Sequence, residues 1–221
     1  YFFCKPAVLR RKRLTSNALS KMRLLREINR QNVDFSAITG VISSDTNLVH
    51  KLLTYINSAG VGLTNHVSNL KQATVLLGAS GVRRWVTLVS LQTFSEDKPS
   101  ELFTLSLLRA KFCELIARSL NRHDLTPDTG FLLGMFSLID VLLNQPMAEI
   151  LKELTLSDEL NAALLGEDNA LRRLLDLVIS YEQGNWSSVV ACCAHEHIPL
   201  EEISTIYDEV LEWYNKLQAV C

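Results

Sequence analysis

Four side chains with metal-binding chemistry fall within six positions: Cys192, Cys193, His195 and His197. Thiolate and imidazole are the donors of structural zinc, but adjacent cysteines leave a helix in different directions, and zinc sites draw ligand pairs from separated turns. The spacing favours two small thiols at a helix end, with the histidines beside the partial negative charge of its C-terminus. His123-Asp124 also sets an imidazole beside a carboxylate. It lies in the polar run Asn121 to Pro127, which reads as a loop before a helix, so a solvated pair is expected there.

The run Gly78-Ala79-Ser80-Gly81-Val82-Arg83-Arg84 offers free amides at a helix start and two guanidinium groups, which is anion-binding chemistry. It also resembles a helix-hairpin-helix turn that grips a DNA phosphate. A glycine stop, a serine N-cap and a close helix approach already explain each small residue, and that reading is preferred. A nucleophile elbow is excluded, because the second glycine comes one position early and no strand precedes it.

The elements that must position these residues are helical. Asp45 caps a helix whose Leu48, Val49, Leu52, Leu53 and Ile56 recur at helical spacing and face a core, ending at Asn57-Ser58-Ala59-Gly60. A loop from Val61 to Ser68 follows. Asn69 caps a short helix with Leu70, Ala73 and Leu77, ended by Gly78 in the left-handed conformation. Ser80 caps the next, where Val82, Trp85, Leu88 and Val89 share a face.

Before this stretch, Thr15 or Ser16 starts a helix with Leu19, Met22, Leu25 and Ile28 on one side, and Asp34 opens another with Phe35, Ile38 and Ile42 inward. After it, Pro99 stands in the first turn of a long apolar helix, Leu102 to Leu120, expected to be central and buried. Thr126-Pro127-Asp128 begins a helix running through Phe131 to Leu143, broken by Asn144-Gln145-Pro146. Further helices are expected over Met147 to Leu154, Asp158 to Leu165, Ala170 to Tyr181, Trp186 to about Ala194 and Leu200 to Leu217. Trp85, Trp186 and Trp213 have apolar helical neighbours and read as core, an exposed one marking a partner surface.

The 221 residues suffice for a substantial core, and 48% hydrophobic with 21% charged is the composition of a folded protein. No apolar run reaches bilayer-spanning length. The basic run Arg10-Arg11-Lys12-Arg13 follows an aromatic start, against a signal peptide, and reads as a solvated tether. Five cysteines, Cys4 and Cys221 among them, mostly inside helical patterns, fit a reducing cytosol. A net charge of -2 gives no electrostatic case for nucleic acid.

The positions Asp45, Leu48, Leu52-Leu53, Asn57-Ser58-Ala59, Ala73, Leu77-Gly78, Val82-Arg83 and Ser90 together resemble the HDOD family, regulatory domains related to the metal-dependent HD phosphohydrolases. The resemblance is clearest from about Leu14 to about Pro146. Tyr1 to Pro6 is similar to the closing strand and exit of an EAL domain, the cyclic-di-GMP phosphodiesterase barrel. The resemblance implies an all-α, HD-like multi-helix bundle over residues 14–221, with 147–221 as a C-terminal helical extension and 1–13 as the end of an EAL-like domain and its linker.

In the HD enzymes a buried His-Asp pair follows the long central helix. Here the corresponding run is Gly134-Met135-Phe136-Ser137-Leu138-Ile139-Asp140, so Ser137-Leu138 stands at the pair, and no histidine lies between Pro99 and Arg122 to serve as an upstream ligand. The resemblance therefore implies a non-catalytic regulatory module of bacterial cyclic-di-GMP signalling, in the cytoplasm, without metal or cofactor. Other signalling proteins or an attached EAL domain are its expected partners. No nucleic acid or membrane partner is expected, and a homo-oligomer remains open. Asn57, Ser58, Gly78, Arg83, Arg84 and Trp85 are the candidate motif or interaction positions. The alternatives are a divergent metal phosphohydrolase using ligands such as His50, His66 or His123, and a DNA-binding module through Gly78 to Arg84.

Overall fold

The computed structural model describes residues 15–30, 35–58, 61 and 66–218. The expected strand remnant and linker over residues 1–13, and the start signal at Asp34, lie outside them. The described residues form α1 (Ser16–Ile28), α2 (Phe35–Ser43), α3 (Thr46–Ile56), α4 (Leu70–Phe94), α5 (Ser100–Leu120) and α6 (Pro127–Phe136), then α7 (Ile139–Leu143), α8 (Met147–Glu153), α9 (Asp158–Leu165), α10 (Ala170–Glu182), α11 (Trp186–Glu196) and α12 (Leu200–Gln218). Extended pairing among them is limited to an isolated bridge between Arg122 and Leu125, so the fold is all-α as expected. No single helix among them is long and apolar enough to cross a membrane.

Side-chain caps start most of these helices. Thr15, Asp45, Asn69, Thr126, Ser157, Asn169 and Asn185 each accept a hydrogen bond from a first-turn amide, satisfying a donor with no intrahelical partner. Inside α4, Gly78 takes φ 61° and ψ -173°, outside helical space, and divides the helix in two as its residue type predicts. Ser80, expected as the next cap, donates its hydroxyl to Asp128.

Three expectations need correction. Leu19 is 45% exposed, and Ala18 and Leu24 join Met22, Leu25 and Ile28 in the core instead. Pro99 caps α5 from outside its first turn. The single helix expected up to Leu143 is broken between α6 and α7, where Leu138 has φ -123° and ψ 12°. The cause is local: Ser137 turns its hydroxyl back onto the Gly134 carbonyl at 2.7 Å, the competition with backbone bonding that serine offers inside a helix.

A continuous apolar core runs from Ala18 in α1 to Leu217 in α12, with α5 at its centre. The chain reverses between α5 and α6, and the two pack backbone against backbone. A Cβ on Gly130 would lie 2.8 Å from the Cys113 carbonyl oxygen, and one on Gly134 would strike the main chain of Arg109 and Ala110. The N-terminal helices are closed by Asn57, which ends α3. Its amide nitrogen donates to Leu53 O (2.7 Å) and Val67 O (2.8 Å), while its oxygen accepts from Val67 N at 2.8 Å. α12 is fixed to α5 by a hydrogen bond between Thr104 and Tyr214 (2.9 Å), and Phe112 of α5 meets the rings of Tyr181 and Tyr207 at 5.2 Å.

Gly134→Ala is expected to destabilise the protein by about 3 kcal/mol, the upper end of overpacking costs, because backbone must move to admit the methyl. Urea denaturation measures it. A midpoint unchanged from the parent protein would refute the backbone contact.

Candidate functional site

Buried charge is concentrated on α5. Arg109 is 2% exposed, and its guanidinium meets Glu182 of α10 with Nε at 3.1 and 3.2 Å from the two carboxylate oxygens and Nη2 at 2.6 Å from Oε2. Its remaining nitrogen, Nη1, donates to Ser137 Oγ at 3.0 Å. Ser137 is the position that the sequence resemblance sets against the first residue of the HD pair. Its hydroxyl accepts from a cation and donates to a carbonyl, and its neighbour Leu138 is buried and aliphatic. This donor set does not fit a divalent metal, since the space beside it holds a positive charge already neutralised by Glu182.

One turn further along, Glu114 is 2% exposed and accepts three cations: Arg84 Nη1 at 3.0 Å, Lys111 Nζ at 3.0 Å and Arg118 Nη2 at 2.7 Å. Arg84 also pairs with Asp128, which opens α6 and receives the Ser80 hydroxyl, and its guanidinium lies 4.8 Å over the Phe131 ring. Burial opposes the Arg84 charge, and Glu114 with Asp128 more than offsets it, so the guanidinium is held above its ordinary range. Burial likewise disfavours the Asp128 carboxylate, and Ser80 and Arg84 overcome that, holding its carboxyl below the usual range.

The six positions singled out in the sequence are not gathered into one cleft. Asn57 is the clasp described above. Ser58 is buried, as is Trp85, and among the described residues the Ser58 hydroxyl and Trp85 indole nitrogen have no hydrogen-bond partner. Gly78 is the break in α4. Arg83 Nε donates to the Ile28 carbonyl at 3.2 Å, closing the C-terminus of α1, while Arg84 enters the charge layer. The arginines weighed for an external anion thus meet the protein's own carboxylates and a carbonyl, in line with the preferred reading.

His50, His66 and His123 are all exposed, and the Asp124 carboxylate is engaged by Arg122, not by its histidine neighbour. Cys193 is buried in the core, Cys192 half-buried, and His197 closes α11 in the left-handed conformation while His195 contacts Glu196 at 3.1 Å. Among the described residues no three His, Cys, Asp or Glu side chains converge as a metal site. Trp85 is core, Trp213 is half-buried and lies under Lys111, but Trp186 is 56% exposed, corrected from its core reading. It stacks edge-on against Tyr181 at 5.4 Å.

Sequence reasoning missed Arg109, Glu114 and Glu182. Arg109 and Glu114 were visible as charges inside the otherwise apolar run Leu107 to Ala117; their partners, on other helices, were not.

Two measurements test the layer. Glu182→Ala, which strands the Arg109 charge, is expected to cost about 3–5 kcal/mol, while the double change Arg109→Met with Glu182→Leu recovers most of it; additive losses in urea denaturation would show that the pair is not coupled. Asp128 has a depressed folded-state pKa, so its stabilisation is present above the unfolded carboxyl value, about 3.9, and is lost as pH falls through the lower folded value. Asp128→Asn should remove that part of the acid destabilisation; an unchanged difference between stability at pH 7 and pH 3 would refute the contribution.

The chain is 35% identical to the uncharacterized protein YuxH of Bacillus subtilis (strain 168), over 98% of this chain and 53% of that protein. It is 32% identical to the cyclic di-GMP phosphodiesterase CdgJ of Vibrio cholerae serotype O1, over 96% of this chain and 49% of that protein. It thus spans about half the length of both relatives. A crystal structure from Shewanella amazonensis SB2B is 14% identical and covers 96% of this chain and 92% of its own, with a TM-score of 0.49. The HDOD domain matches residues 16–171, from the start of α1 into α10, and the chain therefore belongs to the HDOD domain family.

Proposed function

We propose that this chain is a non-catalytic signal-transduction module that acts through protein contacts in bacterial cyclic-di-GMP signalling, as the C-terminal part of a cytoplasmic EAL-HDOD protein. The observation that carries the reading is Ser137 held by the Arg109 guanidinium. Where an HD enzyme needs lone pairs converging on a metal, this chain places a buried cation already paired with Glu182. The link to cyclic-di-GMP rests on the Vibrio relative, named as a cyclic di-GMP phosphodiesterase, and on the likeness of Tyr1 to Pro6 to an EAL exit strand. That both relatives are about twice as long as this chain leaves room for such a domain.

Mechanistically, a partner that prefers one packing of the helices shifts the population toward it, and its effect is limited to its differential affinity for the two states. The partner is another signalling protein or the attached EAL domain.

Joining the EAL domain to this chain is expected to change its cyclic-di-GMP hydrolysis by about fivefold or more relative to the EAL domain alone, the scale of ordinary coupling free energies. The dialysed chain alone is expected to carry no stoichiometric transition metal by elemental analysis and to leave cyclic-di-GMP and nucleotides intact. Bound metal with turnover, both lost when His50, His66 or His123 is replaced, would establish the divergent phosphohydrolase instead. An unchanged EAL rate would remove the regulatory link to that domain.

A further inference from the structure

A surface helix ordinarily meets water with charged side chains, and α11 does not. Before Glu196 at its end it carries no aspartate, glutamate, lysine or arginine. Trp186 and Val190, one turn apart, are 56% and 52% exposed. Trp186 is also the outer end of a chain of rings. It stacks on Tyr181 of α10, whose ring lies 5.0 Å from Tyr207 of α12, and both tyrosines rest on Phe112 in the core. Tyr207 is half-buried, and Leu211, one turn further along the same side of α12, is exposed. α11 and α12 thus contribute to one apolar surface, floored by Tyr181.

The charge beside it has one sign. Glu201, Asp208 and Glu212 are exposed and follow one another at seven and four residues, which sets them in a row along α12. Asp208 is three positions from Leu211 and so its neighbour on the helix surface. Lys216 approaches Glu212 at 3.7 Å, but Glu201 and Asp208 pair with no cation among the described residues.

We propose that this surface is the docking site for a basic amphipathic helix of a partner protein, its aliphatic side chains seated between Trp186 and Leu211 and its lysines or arginines meeting Glu201 and Asp208. Charge selects this occupant over the others. A second copy docked through the same patch would bring two acidic rows into one interface, and anionic lipid or nucleic acid would be repelled by the row. A cationic helix gains from carboxylates still open to pairing, and its apolar side meets tryptophan and tyrosine, the residue types that dominate binding hot spots. That such a partner carries a signal rests on the regulatory reading, while the docking itself does not.

The probe is a synthetic leucine and lysine peptide of about 14 residues, helical with its leucines on one face and carrying a dye. Fluorescence anisotropy follows its binding to the 221-residue protein at low salt. Trp186→Ala with Val190→Ser is expected to weaken binding about tenfold or more, the loss typical of a hot spot. Glu201→Gln with Asp208→Asn is expected to weaken it about fivefold and to flatten its salt dependence. Both variants should keep the parent's helical circular dichroism. Because Trp186 also packs on Tyr181, the carboxylate variant, which changes only exposed side chains, decides the matter if the tryptophan variant loses helix. A peptide with glutamate at every lysine should not bind. The proposal is overturned by no binding of the lysine peptide, by equal binding of the glutamate peptide, or by an affinity that the carboxylate variant leaves unchanged. A dimer of the parent protein in sedimentation that Trp186→Ala disperses also overturns it, giving the surface to a second copy. None of these outcomes depends on the EAL hydrolysis rate, so failure of this site and failure of the regulatory reading are separable.

Discussion

The direct contact between the backbones of α5 and α6 sets the conditions for everything around it. With glycine at 130 and 134 no side chains separate the two helices there, and the end of α6 is brought to within a single side chain's reach of Arg109. The short distance lets Ser137 bond both to the guanidinium and to the Gly134 carbonyl, and that second bond accompanies the end of α6. A guanidinium so deeply placed would be prohibitive without a counter-charge, because an unpaired buried ion loses its hydration with nothing in return. Glu182, on the last turn of α10, supplies it with a two-oxygen contact. The C-terminal helices are therefore bound to the central helix by charge as well as by the Phe112, Tyr181 and Tyr207 rings.

Glu114 poses the converse problem, one buried carboxylate among three cations. Arg84 shares itself between Glu114 and Asp128 and so joins α4, α5 and α6 at one point. The break at Gly78 re-aims the second half of α4, and its two consecutive arginines then serve different helices, Arg83 reaching the end of α1 and Arg84 the charge layer. Guanidinium groups suit this work because a planar fork can satisfy two acceptors at fixed angles, which an ammonium cannot.

The sequence was most informative where the physics is local. Asp45 and Asn69 as caps, Gly78 and Gly166 as stops, Ile38 and Ile42 as inward residues of α2, and the apolar face of α3 all follow from rules spanning a turn or less. The break at Ser137 was hidden because the residues on both sides are apolar and good helix formers; only the serine's back-bonding marks it. The charge layer was half-legible: ionisable residues inside an apolar helix announce that partners exist, yet nothing in the chain says that Arg109 will find Glu182, 73 positions away. The partners of Arg83 and Arg84 were hidden for the same reason, since their acceptors, a carbonyl on α1 and two acids on α5 and α6, are assembled only by the fold.

The same distribution of charge bears on how a signal could enter. α1 runs from its cap, Thr15, to Ile28, whose carbonyl is held by Arg83. Arg83 is covalently next to Arg84, so a single helix and a single peptide unit separate Thr15 from the ion pairs joining α4, α5 and α6. Those pairs favour defined geometries over gradual sliding, because an ion pair at depth loses most of its value when its partner moves by an ångström or two without water to replace it. A displacement of α1 that reached Arg83 would meet an element with discrete arrangements, which is the physical requirement for a switch and not for a mere spacer.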